Sequence, residues 1–369
     1  MTGVWIGVWL ALAAVVIAIL AVLLHLFRAI RWAIRETEYD AYFKRPVAER
    51  RALKLEMAQR ARSILPLVRA LPRWLIPKPP SRAYKGVQLP TIICKRARVE
   101  QALAYPPDAG DIFVATQMKC GTTWAQQIVY EVLLRGQGDL SDSGHVHMYA
   151  TSPWIESAGS VRLEDAPRIG AAQRRIIKTH LPASLCPYSD SARYVYVIRH
   201  PVACFSSAVD FTQMLAGPLA LERARALDWF CSDEMWWGSW ARHVEGWWQW
   251  AQARPNVLFL HYEHMLDDLA AAVDQVAALL DVKLEADERA AVIEKSDYRY
   301  MKAHEDVFEM AAPTFFSAAG TGSFFVSGKR DRGSQQGERE RIAAFCRKAL
   351  DGASYPLAHY YPDLIDPAR

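Results

Sequence analysis

The sequence predicts an α/β protein: a central parallel β-sheet flanked by helices, preceded by one transmembrane helix. Three observations carry this. Short apolar runs at Asp111–Thr116, Arg175–Lys178, Tyr194–Ile198 and Val257–His261 each lead into a helical pattern or a long loop. That alternation is the signature of a parallel sheet covered on both faces. Of the 369 residues, 51% are hydrophobic, enough to bury one large core or two smaller ones and incompatible with a disordered or collagen-like chain. Finally, Val4–Leu24 runs 21 residues without a charged side chain, a helix of roughly 30 Å, the thickness of a bilayer core.

The N-terminal elements follow from charge. Met1–Gly3 holds no basic side chain, and Leu26-Phe27-Arg28 is bulky where a signal peptide would be cut, so residues 4–26 are expected to be an uncleaved membrane anchor. Arg28, Arg31 and Arg35 follow it, and the positive-inside rule then puts the C-terminal bulk on the cytoplasmic side of a single-pass protein. Trp5, Trp9 and Trp32 fit interfacial belts. Residues 27–80 read as a basic juxtamembrane helical stalk ending in a linker with Pro72, Pro77, Pro79 and Pro80, so the domain boundary falls near Ser81 and the domain spans 81–369. Residues 44–85 carry twelve Lys or Arg against two acids, with Leu53, Met57, Ile64 and Leu67 between them. They make either an amphipathic helix on the membrane surface or a solvated spacer. Residues 1–85 total +10 and the remainder about −6. A nucleic-acid binder would be basic on its folded domain, so the excess points to a bilayer and not to nucleic acid. The six cysteines form no CxxC pair and read as reduced thiols. The Trp229–Trp250 segment, with Trp236, Trp237, Trp240, Trp247, Trp248 and Trp250, reads as a core helix.

Three segments carry chemistry. The strand Asp111–Thr116 runs into Gln117-Met118-Lys119-Cys120-Gly121-Thr122-Thr123-Trp124 and then a helix through Leu134. Backbone N–H groups, a lysine and two hydroxyls at a helix N-terminus make an anion cradle. It is not GxxxxGK[ST], because Lys119 precedes Gly121 by two, which disfavours an ordinary ATPase loop. Lys178-Thr179-His180-Leu181-Pro182 ends another strand, at the edge where open α/β sheets bind ligands. His180 beside Lys178 and a phosphate loop is a candidate general base. Arg199-His200-Pro201 closes a third strand and opens a helix carrying Ser206 and Ser207; Arg199 can fork onto a phosphate and Ser207 can donate to it.

With these three in hand, the chain resembles the sulfotransferases of the cytosolic type, which use 3′-phosphoadenosine 5′-phosphosulfate (PAPS). The family's YPKSGTTW loop is met by Gln117–Trp124, its KTHLP element by Lys178–Pro182, and its Arg with a Ser eight residues on by Arg199 and Ser207. Ser152–Glu156, Gly238-Ser239-Trp240 with His243-Val244 and Trp247, and Tyr262-Glu263 with Met265 extend the similarity over residues 84–350. The resemblance implies a P-loop NTPase-like sulfotransferase fold with PAPS as co-substrate and no metal. It implies that Lys119 contacts the phosphosulfate, that Cys120, Gly121, Thr122 and Thr123 hold the 5′-phosphate, and that Arg199 and Ser207 hold the 3′-phosphate. Trp124 would stack on adenine, with Tyr262, Ser296 and Tyr298 around the base. His180 would take the acceptor's proton and Lys178 would stabilise the sulfuryl oxygens.

The chain departs from the family at three places. Cys120 stands where the family usually has serine, and a thiol beside a lysine is expected to be acidic and oxidisable. Phe325–Gly333 stands where the family has RKGxxGDW, with Ser327, Gly328 and Lys329 as its candidates for the 3′-phosphate. The family's KxxxTVxxxE dimer element is not found, which leaves the oligomeric state open. His145–Glu156 and Phe211–Trp236 are expected to line the acceptor pocket, and His145 with His147 lacks a third metal ligand. The anchor favours an acceptor that is a lipid or another membrane-delivered molecule. A P-loop kinase and a non-catalytic membrane scaffold are the competing readings.

Overall fold

The computed structural model describes residues 2–36, 42–62, 65–70, 76–140, 147–309, 325 and 334–366. A two-stranded antiparallel ribbon, β1 (Ser81–Tyr84) and β2 (Val87–Pro90), opens the domain. Its turn places Lys85 and Gly86 at φ 47° and 83°, the paired left-handed geometry that matches strand twist. The central sheet follows: β3 (Asp111–Thr116), β4 (Arg175–Thr179), β5 (Arg193–Ile198) and β6 (Val257–His261), in the order β4-β3-β5-β6. Every pairing in it is parallel.

The sheet is buried on both faces, and the alternation of side chains sorts its residues between two cores. Phe113, Ala115, Ile177, Tyr194, Tyr196 and Ile198 pack with Trp240 and Trp247 on one face. Ile112, Val114, Ile176, Val195 and Val197 pack on the other, with Ile128 and Val129 of the helix Thr122–Leu133 and Val273 and Val276 of the helix Leu269–Leu279. The registers Ala115 with Thr179, Thr116 with Val197 and Ile198 with His261 bring the four strand ends level. The segments that follow β3, β4, β5 and β6 therefore lie side by side along one edge. β4 lies on one side of β3 and β5 on the other, so this edge is a topological switch point, the place where open α/β sheets bind ligands.

Two expectations change. The tryptophan-rich stretch is two helices, Arg223–Phe230 and Trp240–Ala253, joined by a turn that contains Trp236 and Trp237; Gly238, at φ 88°, breaks the helical run. Leu53 and Met57, read as facing a membrane surface or solvent, are buried against protein, as are Tyr42 and Phe43. They belong to or precede the helix Val47–Arg62, which packs onto the domain instead of standing off it. The N-terminal helix Thr2–Glu36 contains Trp5–His25, exposed and apolar over a length that suffices to cross a bilayer.

Candidate functional site

The loop after β3 is shaped by two left-handed residues, Lys119 at φ 66° and Gly121 at φ 102°. Gly121 caps the helix Thr122–Leu133, and a Cβ at that position would lie 2.8 Å from the Tyr262 ring. Glycine is thus required both by φ and by the close approach of Tyr262. The first turn of a helix leaves its N–H groups without intrahelical acceptors, and the helix dipole favours an anion there. Gly121, Thr122 and Thr123 occupy that turn. Lys119 Nζ lies 4.4 Å from the centroid of the Phe211 ring.

His180 follows β4, with its ring held from several sides. Its Nδ1 lies 2.8 Å from the Thr116 carbonyl and 3.2 Å from Thr116 Oγ1. A carbonyl only accepts, so Nδ1 carries the proton and Nε2 keeps its lone pair. Among the described residues Nε2 has no hydrogen-bond partner. Glu156 is fully buried and accepts from the His180 amide at 2.8 Å, from Trp154 Nε1 at 2.6 Å and from Thr179 Oγ1 at 3.0 Å. His243 Nε2 donates to the His180 carbonyl at 3.0 Å, and its Nδ1 accepts from Tyr196 Oη at 2.8 Å. Burial, then the neighbouring Lys178 charge, hold the His180 imidazole well below its usual range, so it is neutral at pH 7.

Lys178 is buried with Nζ 2.9 Å from Tyr149 Oη, and lies over the Trp154 ring at 3.8 Å and the Tyr149 ring at 4.5 Å. Burial brings its ammonium down to about 7, with Glu156 pulling the other way and Lys119 reinforcing the fall. The Tyr149 hydroxyl also meets the Thr123 side chain, so one phenol links the second lysine to the phosphate loop.

On the other side of β3, Arg199 directly follows β5 with its guanidinium 4.3 Å over the Tyr262 ring. Trp240 Nε1 donates to the Arg199 carbonyl at 2.9 Å. Ser207 is buried on the helix Pro201–Ala216 that Arg199 leads into. Trp124 Nε1 donates to the Ser296 carbonyl at 2.7 Å, and its ring meets Tyr262 edge-on at 5.2 Å. The sheet edge thus brings together Lys119, Gly121, Thr122, Thr123, Trp124, Lys178, His180, Arg199, Ser207 and Tyr262. Tyr298 is exposed. Ser327, Gly328 and Lys329 lie outside the described residues, as does His145. His147 is buried with Nδ1 accepting from the Tyr149 amide at 3.0 Å. Among the described residues no group of three or more His, Cys, Asp or Glu side chains is placed to hold a metal.

Cys120 corrects an expectation. Its sulfur is buried 3.6 Å from Cys204 Sγ, and its amide closes a turn onto the Gln117 carbonyl at 3.2 Å. Burial raises the thiol well above its ordinary value, so it is neither acidic nor turned toward an anion.

From sequence Trp237 reads as core and not as part of the site, and Tyr149 only as one position in the stretch His145–Glu156 expected to line a pocket. Trp237 holds φ 61°, strained for a bulky residue, in a turn pinned by its amide to the Gln88 carbonyl at 2.7 Å. Gln117 Nε2 pins it again, donating to the Trp236 and Gly238 carbonyls at 3.0 and 2.7 Å. The Trp237 ring lies 4.9 Å from His180 and 5.6 Å from Trp154. Its indole N–H is buried without a partner among the described residues. A Trp-Gly pair inside an aromatic run is the one sequence signal for such a turn.

Comparison with known proteins accords with this edge. Residues 109–332 match the sulfotransferase domain model. A guinea pig protein named 3-alpha-hydroxysteroid sulfotransferase is 31% identical over 201 residues, covering 53% of this chain and 67% of that one. Rabbit sulfotransferase 1C2 is 26% identical over 283 residues, 74% of this chain and 93% of that one. Among solved structures, retinol dehydratase with androsterone and the inactive cofactor PAP superposes with a TM-score of 0.60 at 19% identity, covering 75% of this chain and 92% of that one. Mouse sulfotransferase SULT7A1 with PAP gives 0.54 at 18%, over 74% and 96%. With a domain match spanning more than half of its length, the chain belongs to the sulfotransferase family and is a PAPS-dependent sulfotransferase.

Proposed function

We propose that the chain transfers the sulfuryl group of PAPS to a hydroxyl of an apolar, membrane-borne acceptor, with His180 as general base. The carrying observation is the hydrogen bond from His180 Nδ1 to the Thr116 carbonyl, which leaves a neutral Nε2 beside Lys178 and the phosphate loop. In this reading the acceptor oxygen attacks sulfur, Nε2 takes its proton, and the bond from sulfur to the 5′-phosphate oxygen breaks, so that PAP leaves carrying the added negative charge. Lys119 and the amides of Gly121, Thr122 and Thr123 stabilise that charge where it develops. Lys178 faces the equatorial sulfuryl oxygens. Arg199 and Ser207 hold the 3′-phosphate, and Trp124 with Tyr262 forms the adenine wall. Lysines supply the electrostatics that Mg²⁺ supplies in kinases.

Trp154 and Trp237, flanking His180, form the acceptor wall. A guinea pig relative is named for hydroxysteroids, a hydroxyl on an apolar skeleton. Trp5–His25 gives this chain a helix of bilayer length, followed by Arg28, Arg31 and Arg35. Together they support a single-pass anchor with the domain on the cytoplasmic side, working on acceptors in or at the membrane. The test is transfer from labelled PAPS in vesicles holding a hydroxysteroid, with PAP binding measured by calorimetry. His180→Ala should lower turnover by about 10²-fold or more while PAP affinity persists, and Lys119→Ala should lower turnover comparably. Near-normal turnover of the His180 variant would show that another group is the base. Absence of PAP binding by the parent chain would favour a scaffold.

A further inference from the structure

We propose that the segment Tyr42–Met57, which follows the apolar helix, is a working wall of the catalytic site, with Phe43 a positioning residue for Tyr149 and through it for Lys178 and Thr123. The inference rests on the roles given above to Lys178 and Thr123. A stalk that merely spaces a domain from a bilayer keeps its cations in water and touches little. This one does the opposite. Phe43 has no exposed surface, and its ring packs 5.3 Å edge-on from Tyr149 and 4.7 Å from His147. His147 stacks on Tyr149 at 5.5 Å and accepts from the Tyr149 amide. The phenol so held is the one bonded to Lys178 Nζ and to Thr123. Phe43 is therefore two contacts from a lysine at the reacting group and two from the phosphate loop.

The segment is locked in place by charge as well. Arg50 is 1% exposed and donates to the Arg45 carbonyl at 2.7 Å and, across 256 residues of sequence, to the Asp306 carbonyl at 2.8 Å. Arg51 pairs with Asp306, and Lys54 with Glu309. A buried guanidinium with two of its nitrogens donating to main-chain carbonyls is a fixed joint, since removing those acceptors would leave an uncompensated charge. Only residues 37–41 separate the end of the N-terminal helix at Glu36 from Tyr42. At about 3.5 Å per residue the membrane-side helix end is tethered within roughly 20 Å of this wall.

The wall has a chemical consequence. Tyr149, backed by Phe43, and Trp154 cover Lys178, whose other charged or titratable neighbours are Glu156, Lys119, Cys94 and His180. Opening the wall hydrates the ammonium and favours its charged form, so the alkaline limb of the rate profile moves to higher pH. It also frees the phenol, and loss of alignment by about 1 Å costs up to about 100-fold in rate.

The experiment compares the full chain in detergent micelles with Phe43→Leu, Tyr149→Phe and their double variant, reading kcat, the KM for PAPS and the pH dependence of kcat/KM. Phe43→Met repeats the comparison should Phe43→Leu lose its cooperative unfolding transition. Phe43→Leu should lower kcat about tenfold, leave the KM for PAPS within about twofold and move the alkaline limb upward. Tyr149→Phe should lower kcat similarly, and the double variant should be no worse than Tyr149→Phe alone, the non-additivity expected of residues acting through one another. Parent-like kcat and pH profile in Phe43→Leu, or losses that simply add, would overturn the proposal. Lys178→Ala separates it from its premise: unchanged turnover there removes the role of Lys178, whereas a large loss there with a silent Phe43 removes only the wall.

Discussion

His180 and Lys178 are separated by one residue, yet burial acts on both in the same direction and gives them different charges in the proposed transfer. An imidazole held below its usual range stays a base, while an ammonium brought to about 7 loses its charge just above neutrality. The free enzyme should therefore show a bell-shaped kcat/KM, with its acid limb below pH 6.5, where His180 protonates, and its alkaline limb near pH 7, where Lys178 discharges. Lys178→Arg, whose guanidinium keeps its proton throughout, should flatten the alkaline limb even if its maximal rate is lower; an unchanged limb would assign it to another group. Cys120 makes a second residue-scale prediction. Its raised thiol and its contact with Cys204 mean that Cys120→Ser should keep kcat within about threefold, with a buried hydroxyl costing about 1 kcal/mol of stability. Iodoacetamide at pH 7 should leave the native enzyme's activity intact; rapid inactivation blocked by PAP would contradict this. The turn at Lys119 and Gly121 and the helix it opens were legible from sequence because they are built from neighbouring residues at fixed spacing. Trp237 was not legible as a neighbour of His180, and Tyr149 was legible only as part of a pocket-lining stretch, since the contacts that single them out come from residues far along the chain.

At the scale of elements, β3 and β6 were legible to the residue and β4 and β5 to within one, because strands buried on both faces read as unbroken apolar runs. The β1–β2 ribbon was not legible: its strands are four residues each and half-exposed, with no apolar run to mark them. Helical spacing also misled between Phe230 and Trp240, where a Trp-rich turn imitates a core helix. What joins these elements into a site is largely Glu156. It lies outside the sheet, yet its carboxylate accepts from Trp154, Thr179 and His180, so one side chain fixes the Trp154 and His180 rings together, the proposed acceptor wall and base. Glu156→Gln keeps the shape but turns one acceptor into a donor facing donors. It should cost about 1–3 kcal/mol for each N–H or O–H left unpaired, and should lower kcat more than it changes the KM for PAPS. If the Glu156→Gln variant kept the parent's melting temperature and kcat, the clasp would be dispensable.

For the molecule as a whole, charge separates along the chain, +10 over residues 1–85 and about −6 over the rest. This was legible at once, whereas the docking of the basic segment was not: it depends on Asp306 and Glu309, some 250 residues away. Burial of titratable side chains also sets the response to acid. His147 and His180 are held well below 6.5, His243 at about 4 and His261 at about 3. As pH falls below 6.5 the unfolded chain takes up protons that these folded imidazoles refuse, so stability falls with pH; for His243 alone the difference amounts to about 3 kcal/mol. Three buried carboxyls act oppositely. Glu131, raised to about 7, and Glu156 and Glu309, also raised, bind protons in the folded state first, so their contribution grows as pH falls and is complete below 4.5. Between pH 6.5 and 4.5 the two sets offset one another, and below 4.5 nothing offsets the imidazoles still titrating. The melting temperature should decline gently to pH 4.5 and steeply below it. His243→Gln, whose amide can keep one of the two hydrogen bonds without titrating, should soften the steep part. A melting temperature equal at pH 7 and pH 4 would mean that these histidines reach solvent, and with them the neutral base on which the proposed transfer depends.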